Sequence, residues 1–221
     1  MPKLSEKQSA KPSENPTQAS APLCPEFSLE QRRTLLGIAH QAILYGLEHR
    51  PFSVVAPASP ALSEKRGAFT TLYLGSGVQG GVRRELHREL RGCVGYAAPL
   101  APLYRAVAET ARAAAFEDSR FLPVTKEEVP RLEVFLSVLS HLFPIHPDAL
   151  VVGRHGLVVS EGSRRGLLLP QVPVENAWDR ETFLEQTCRK AGLPADAWQR
   201  GASIEAFTTE VFSDSDVAMP C

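Results

Sequence analysis

Apolar positions first recur at helical spacing in Leu35, Ile38, Ala39, Ala42 and Ile43. Ser28, with Gln31 three residues later, has the form of a capping box just ahead of them. The pattern predicts a long first helix. The period changes in "GAFTTLYL", Gly67 to Leu74, where aromatic, β-branched and threonine residues predict a strand. The glycine-spotted stretch Gly75 to Gly81 reads as a loop, and "VRRELHREL" after it fits either a short helix or a hairpin arm. "RGCVGYAA" predicts the next strand. "APLYRAVAETARAAAF" predicts a second long helix, with Pro102 in its first turn and an alanine run of high helix propensity.

Thr125 and Glu128 repeat the capping-box spacing, but Pro130 confines that helix to about one turn. Leu132 to Ser140 reads as a strand. "GLVVS" and "GLLLP" form a hairpin across "EGSRR". "LLLPQVPVENAW" reads as a packed strand and connection, with Trp178 as an anchor in the core or between lobes. Asp179 caps a third helix, "RETFLEQTCRKA", which Gly192 ends. "IEAFTTEVF" alternates between two faces and reads as one final strand. Helices interspersed with strands on short links predict an α+β fold, with a mainly antiparallel sheet flanked by helices.

Outside this patterned region the chain changes character. Residues 1–26 are rich in Pro, Ser, Lys, Glu and Gln, cannot bury enough apolar surface to offset ordering, and read as a disordered tail. The folded domain is placed at 27–213, and residues 214–221 read as a frayed C-terminal tail.

Composition narrows the function classes. Lys plus Arg is 24 and Asp plus Glu is 25, for a net charge of -1. That balance gives no broad basic footprint for nucleic acid, although a local basic cleft is compatible with it. No apolar run approaches the ~18 residues that span a bilayer, and the N-terminal stretch lacks the apolar core of a secretory signal. Cys24, Cys93, Cys188 and Cys221 are widely spaced with no CxxC pair, which reads as reduced thiols in a cytoplasmic protein. No metal set and no cofactor motif is expected; His141 and His146, five apart across Pro144, make a poor ligand pair.

The stretch with most chemistry is "ELRGCVGY", Glu89 to Tyr96. In a regular strand Arg91 and Cys93 share a face, which Gly95 continues. A guanidinium ~6–7 Å from the sulfur would favour the thiolate. Glycines weaken a strand unless a ligand or another backbone needs their bare surface. Cys93 and Arg91 are therefore candidates for nucleophile and anion-binding roles, with Gly92 and Gly95 as binding positions. The alternative reading is structural. Cys93 then acts as a small buried hydrophobe, Arg91 pairs with a carboxylate such as Glu133, and the glycines relieve packing against the second helix.

Other candidates carry the same choice. His155 in "GRHGLVV" is either a general base or supporting donor, or a turn residue whose ring bonds the backbone. Asp118 and Arg120 in "FEDSRF" either bind substrate or steady a loop as an ion pair. Arg164 and Arg165 in "GSRRG" suggest a phosphate site or an ordinary polar turn.

The hexapeptide Leu90-Arg91-Gly92-Cys93-Val94-Gly95 resembles the Leu-Arg-Gly-Cys-Ile-Gly hallmark of the AmmeMemoRadiSam system protein A family, or AMMECR-type domain, with Val94 in place of Ile. "GAFTTL", "AAFEDSRFLPVTKEEVPRLEVFLSVLS" (with Ser119 where proline is usual), the stretch from "VGRHGLVV" to "PADAW" and "FTTEVF" are similar to the family in the same order. The resemblance spans roughly residues 28–212. It implies two unequal lobes separated by a cleft, with both chain ends in the larger lobe and the hexapeptide near the cleft. It also implies two partners, a Memo-type protein related to ring-opening dioxygenases and a radical S-adenosylmethionine enzyme. It supplies no reaction. The Gly75–Glu89 segment departs from the family by its length. The reading favoured is an adaptor or accessory component; the alternative is an enzyme acting on a small anionic or nucleotide-like substrate in a cleft containing Arg91 and Cys93.

Overall fold

Ser28 starts the first helix through a reciprocal cap: its Oγ accepts from the Gln31 N–H, and the Gln31 side chain accepts from the Ser28 N–H. The computed structural model describes residues 25–75 and 88–218. In chain order these are α1 Leu29–Leu47, α2 Pro60–Ser63, β1 Ala68–Leu74, β2 Glu89–Tyr96, α3 Leu103–Phe116, β3 Leu132–Leu139, β4 Phe143–Pro144, β5 Gly156–Glu161, β6 Arg164–Leu168, α4 Gln171–Glu175, α5 Arg180–Lys190, β7 Ser203–Phe207, β8 Thr209–Ser213 and α6 Asp214–Val217.

Two antiparallel four-stranded sheets organise the chain, which is an α+β fold. The larger has the order β2-β1-β3-β8 and the smaller β4-β7-β5-β6. Alternate residues of β1 are buried, as a strand with one face on a core requires. Leu35, Ile43, Leu72, Leu103, Val107, Val134 and Leu136 share the large-lobe core with α1 and α3. Leu157, Val159, Phe183, Leu184 and Cys188 form a second core between α5 and the small sheet. Trp178 packs against this second core. Leu139, Val158 and Phe207 form a third cluster where the lobes meet, with Phe69, Ala97, Leu142 and Leu167 packed on it.

The last predicted strand is two strands. The chain leaves the small sheet after Phe207 and enters the large one at Thr209. Ala206 pairs with Leu157 and Phe143, whereas Glu210 pairs with Val138. Ala206 and Phe207 are both buried, so strict alternation lapses at the crossing, but the sequence does not say which sheet pairs on either side of it. The small lobe, residues 143–207, is thus inserted between β3 and β8. Its two connections are tied together: the Ser140 N–H donates to Thr208 O at 2.9 Å, and the Thr208 N–H donates to Ser140 Oγ at 2.9 Å.

Other expectations change locally. Residues 214–217 are a helical turn and not a frayed tail. Asp214 carboxylate oxygens take His40 Nε2 at 2.9 Å and the Val134 N–H at 2.8 Å, and Asp216 accepts from the Ser213 N–H. "LLLPQVPVENAW" contains a short helix, because Pro170 ends β6 with a helix-compatible φ of -59° and Pro173 sits in the first turn, where no N–H is needed. The Thr125–Glu128 spacing makes half a capping box, with Glu128 accepting from the Thr125 N–H at 2.7 Å. A 3-10 turn over Val129–Arg131 follows in place of an α-helix. At the N-terminus, Glu26 is already docked: its N–H donates to Glu210 at 2.7 Å and its carboxylate takes buried Arg66 at 2.7 Å. Residues 1–24 of the expected 1–26 tail and 76–87 of the Gly75–Glu89 segment lie outside the described residues.

Candidate functional site

The hexapeptide lies in β2, an edge strand. Leu72 pairs with Gly92 and Tyr73 with Leu90, so Arg91 has no partner opposite and forms a bulge. The regular alternation of faces is broken there. Arg91 reaches the loop after α3 and is fully engaged. Its Nε and Nη2 grip both Glu128 oxygens at 2.8 and 3.1 Å, Nη1 donates to Leu122 O at 2.6 Å, and Nη2 donates to Pro123 O at 3.2 Å. The side chain is 11% exposed. Hydrogen bonds from Arg91 hold the Glu128 carboxyl below its ordinary range, against the opposing cost of burial. Glu133, the partner suggested by sequence, binds Arg88 at 2.8 Å and Ser215 instead.

Cys93 is half-buried and lies opposite Thr71, whose hydroxyl donates to Sγ at 3.3 Å. Its backbone turns outward, where an edge strand leaves groups unpaired. The loop after α3 fills that need. Cys93 N–H donates to Asp118 Oδ2 at 2.9 Å, and Arg120 Nη2 donates to Cys93 O at 3.4 Å. Arg120 also holds both Asp118 oxygens, at 2.9 and 2.7 Å. Asp118 is therefore held well below the usual carboxylate range, first by Arg120's side-chain bonds and then by the Cys93 and Arg120 N–H groups, with burial opposing. The geometry of Asp118 and Arg120, read as a binding pair or a loop brace, fits the brace.

The glycines have equally plain jobs. A Cβ on Gly92 would collide with the Ala114 carbonyl oxygen of α3, and one on Gly95 would enter the Phe69 ring. Both are packing positions, and the bare surface is used by another backbone and a ring.

His155 stands apart, in the turn before β5 of the small lobe. Its Nδ1 accepts from the Val151 N–H at 3.1 Å, and its ring meets Phe143 edge-on at 6.0 Å. Burial, then Arg154, lowers its pKa, which suits an accepting neutral ring. Cys188 is buried in α5, where burial pushes its thiol up.

The cleft between the lobes is a cavity of about 350 Å³. Its walls come from Lys65–Gly67, Ala97–Pro99, Leu139–Leu142, Arg165–Leu167 and Phe207. β2 leads into it through Ala97, but Arg91, Cys93, Asp118, Arg120 and His155 are not among its walls. The expectation that the cleft contains Arg91 and Cys93 is corrected by the bulge and loop, which aim those groups at Glu128, Asp118 and Thr71. The basic wall residues Lys65 and Arg66 escaped sequence reasoning, and His141 was weighed only as a metal ligand, because no local motif joins them. Arg165 alone carried a signal, in "GSRRG".

Comparison with known proteins agrees with this architecture. A protein of Thermofilum pendens is 39% identical over 198 residues, covering 86% of this chain and 92% of its own. One of Thermococcus gammatolerans is 45% identical over 162 residues, covering 70% and 76%. The crystal structure of uncharacterized protein PH0010 from Pyrococcus horikoshii superposes with a TM-score of 0.59 at 40% identity, covering 81% of this chain and 89% of that one. The profile of the AMMECR1 family matches residues 36–212, and with these relatives in agreement the chain belongs to the AMMECR1 family.

Proposed function

We propose that this protein is an accessory, docking component that works with a Memo-type protein and a radical S-adenosylmethionine enzyme in the cytoplasm. The observation that supports it is the internal commitment of the hexapeptide. Arg91 is divided among Glu128 and two carbonyl oxygens, Asp118 among Cys93 and Arg120, and both glycines are packed against neighbours. These groups brace the loop after α3, which presents Leu122 to solvent at 82% exposure. A rigid loop with an apolar tip offers a partner an anchor at small ordering cost.

Calorimetry with each purified partner tests the reading. Binding to one of them is expected, retained by Cys93→Ser and weakened by Leu122→Asp. Absence of binding to both folded partners overturns it. Arg91→Met separates brace from catalyst. A brace arginine paired with a largely buried carboxylate should cost about 2–4 kcal/mol of stability on removal, whereas an arginine reserved for substrate would leave the unfolding midpoint nearly unchanged.

A further inference from the structure

Among the described residues, the inter-lobe cavity has four basic residues in its walls and no Asp or Glu. Arg66 is buried and committed, donating to Leu139 O at 2.8 Å and pairing with Glu26 and Glu64. His141 reaches Glu64 at 3.0 Å. Lys65 and Arg165 remain. The carboxylate paired with Arg165 is Glu205, at 4.0 Å, and Lys65 has no ion pair among the described residues. Lys65 belongs to the large lobe and Arg165 to the small one, so each lobe contributes one of these two residues to the cavity wall. Leu142, Leu167 and Phe207 supply an apolar wall.

We propose that this cavity binds a small organic anion: one carboxylate or phosphate carried on a flat apolar body. Lys65, without an ion pair among the described residues, and Arg165, only 4.0 Å from Glu205, are the cations left to meet a single anionic head. The apolar wall takes the body. A volume of about 350 Å³ is at the small end of ligand sites, which favour junctions between lobes. With Lys65 and Arg165 contributed from different lobes, the bound anion spans the junction and holds it closed. The inference is independent of the docking reading, since it uses none of the braced residues.

Amide spectra of the full chain labelled with nitrogen-15 test it, with 2-naphthoate, 2-naphthyl phosphate and the neutral 2-naphthamide as probes. Gly67, Gly166 and Ala97 are built-in reporters, since they line the cavity. Saturable shifts at these amides are expected for at least one anion, with a Kd of about 1 mM or tighter. Which anion binds more tightly distinguishes a carboxylate head from a phosphate. The neutral amide should bind about tenfold more weakly, as should the anion to Lys65→Glu/Arg165→Glu. Both side chains are solvent-exposed, and the spectrum of the free variant reports its fold; Arg165→Met is the milder second variant. Equal binding of naphthoate and naphthamide, shifts clustered away from the cavity, or undiminished binding to the folded variants overturns the proposal. Loss of partner binding in calorimetry leaves it intact.

Discussion

At Asp118 one carboxylate satisfies the free N–H of an edge strand and both ends of an arginine fork. The side chain is 7% exposed, so little solvent competes for its oxygens. Its folded-state pKa lies below the ordinary unfolded value of about 3.9, so the ionised form is the stabilising one. That contribution is complete above the unfolded value and is lost as pH falls from there through the depressed folded value. Asp118→Asn should cost about 1–3 kcal/mol at neutral pH. The gap between the two proteins, measured by urea unfolding, should be flat above about pH 5 and shrink below about pH 4. A gap that ignores pH would mean that the bonds do not depend on charge.

At the scale of the element, the contact between β2 and α3 depends on small residues from both sides. The buried face of α3 is built largely from Ala106, Ala111, Ala114 and Ala115, which let its backbone approach the sheet. Gly92 completes the approach. Gly92→Ala places a methyl on the Ala114 carbonyl oxygen, a backbone obstacle that moves only if the helix moves. The cost should be about 2–3 kcal/mol. Gly37, exposed in α1, is the control, because an added Cβ there meets nothing within 4 Å. Gly37→Ala should stabilise by about 0.5–1 kcal/mol. Opposite signs in one unfolding assay would separate close packing from backbone entropy; destabilisation of similar size by both would contradict the packing account.

For the whole molecule, the two connections between lobes decide how the halves move. Ser140 and Thr208 clasp them with two hydrogen bonds, and Leu139, Val158 and Phe207 fill the junction behind. Ser140→Ala removes the acceptor of the Thr208 N–H and should cost about 1–2 kcal/mol. Exchange of the Thr208 amide should quicken while amides in the centre of β1 keep their protection. The shared junction core should still give a single unfolding transition. Unchanged exchange at Thr208 would show that the clasp is not what holds the connections together.

The long helices α1, α3 and α5, most strands and the hexapeptide were legible from sequence. So were the Ser28 cap, the Asp179 cap and the Gly192 stop, which reaches φ 73°. These features depend on residues a few positions apart, where period and capping chemistry act. Family membership was legible too, through the residues of the hexapeptide and the segments around it. The change of sheet at Thr208 was not, because alternation says that a segment is extended and not which sheet supplies its partner. Arg91's roles remained open for a similar reason: Glu128 lies 37 residues away, and only the path of the loop after α3 brings it within reach. The basic cavity is assembled from positions 65, 66, 141 and 165, drawn from two lobes and a connection. No spacing rule joins them; their meeting was decided when the small lobe folded as an insertion between β3 and β8.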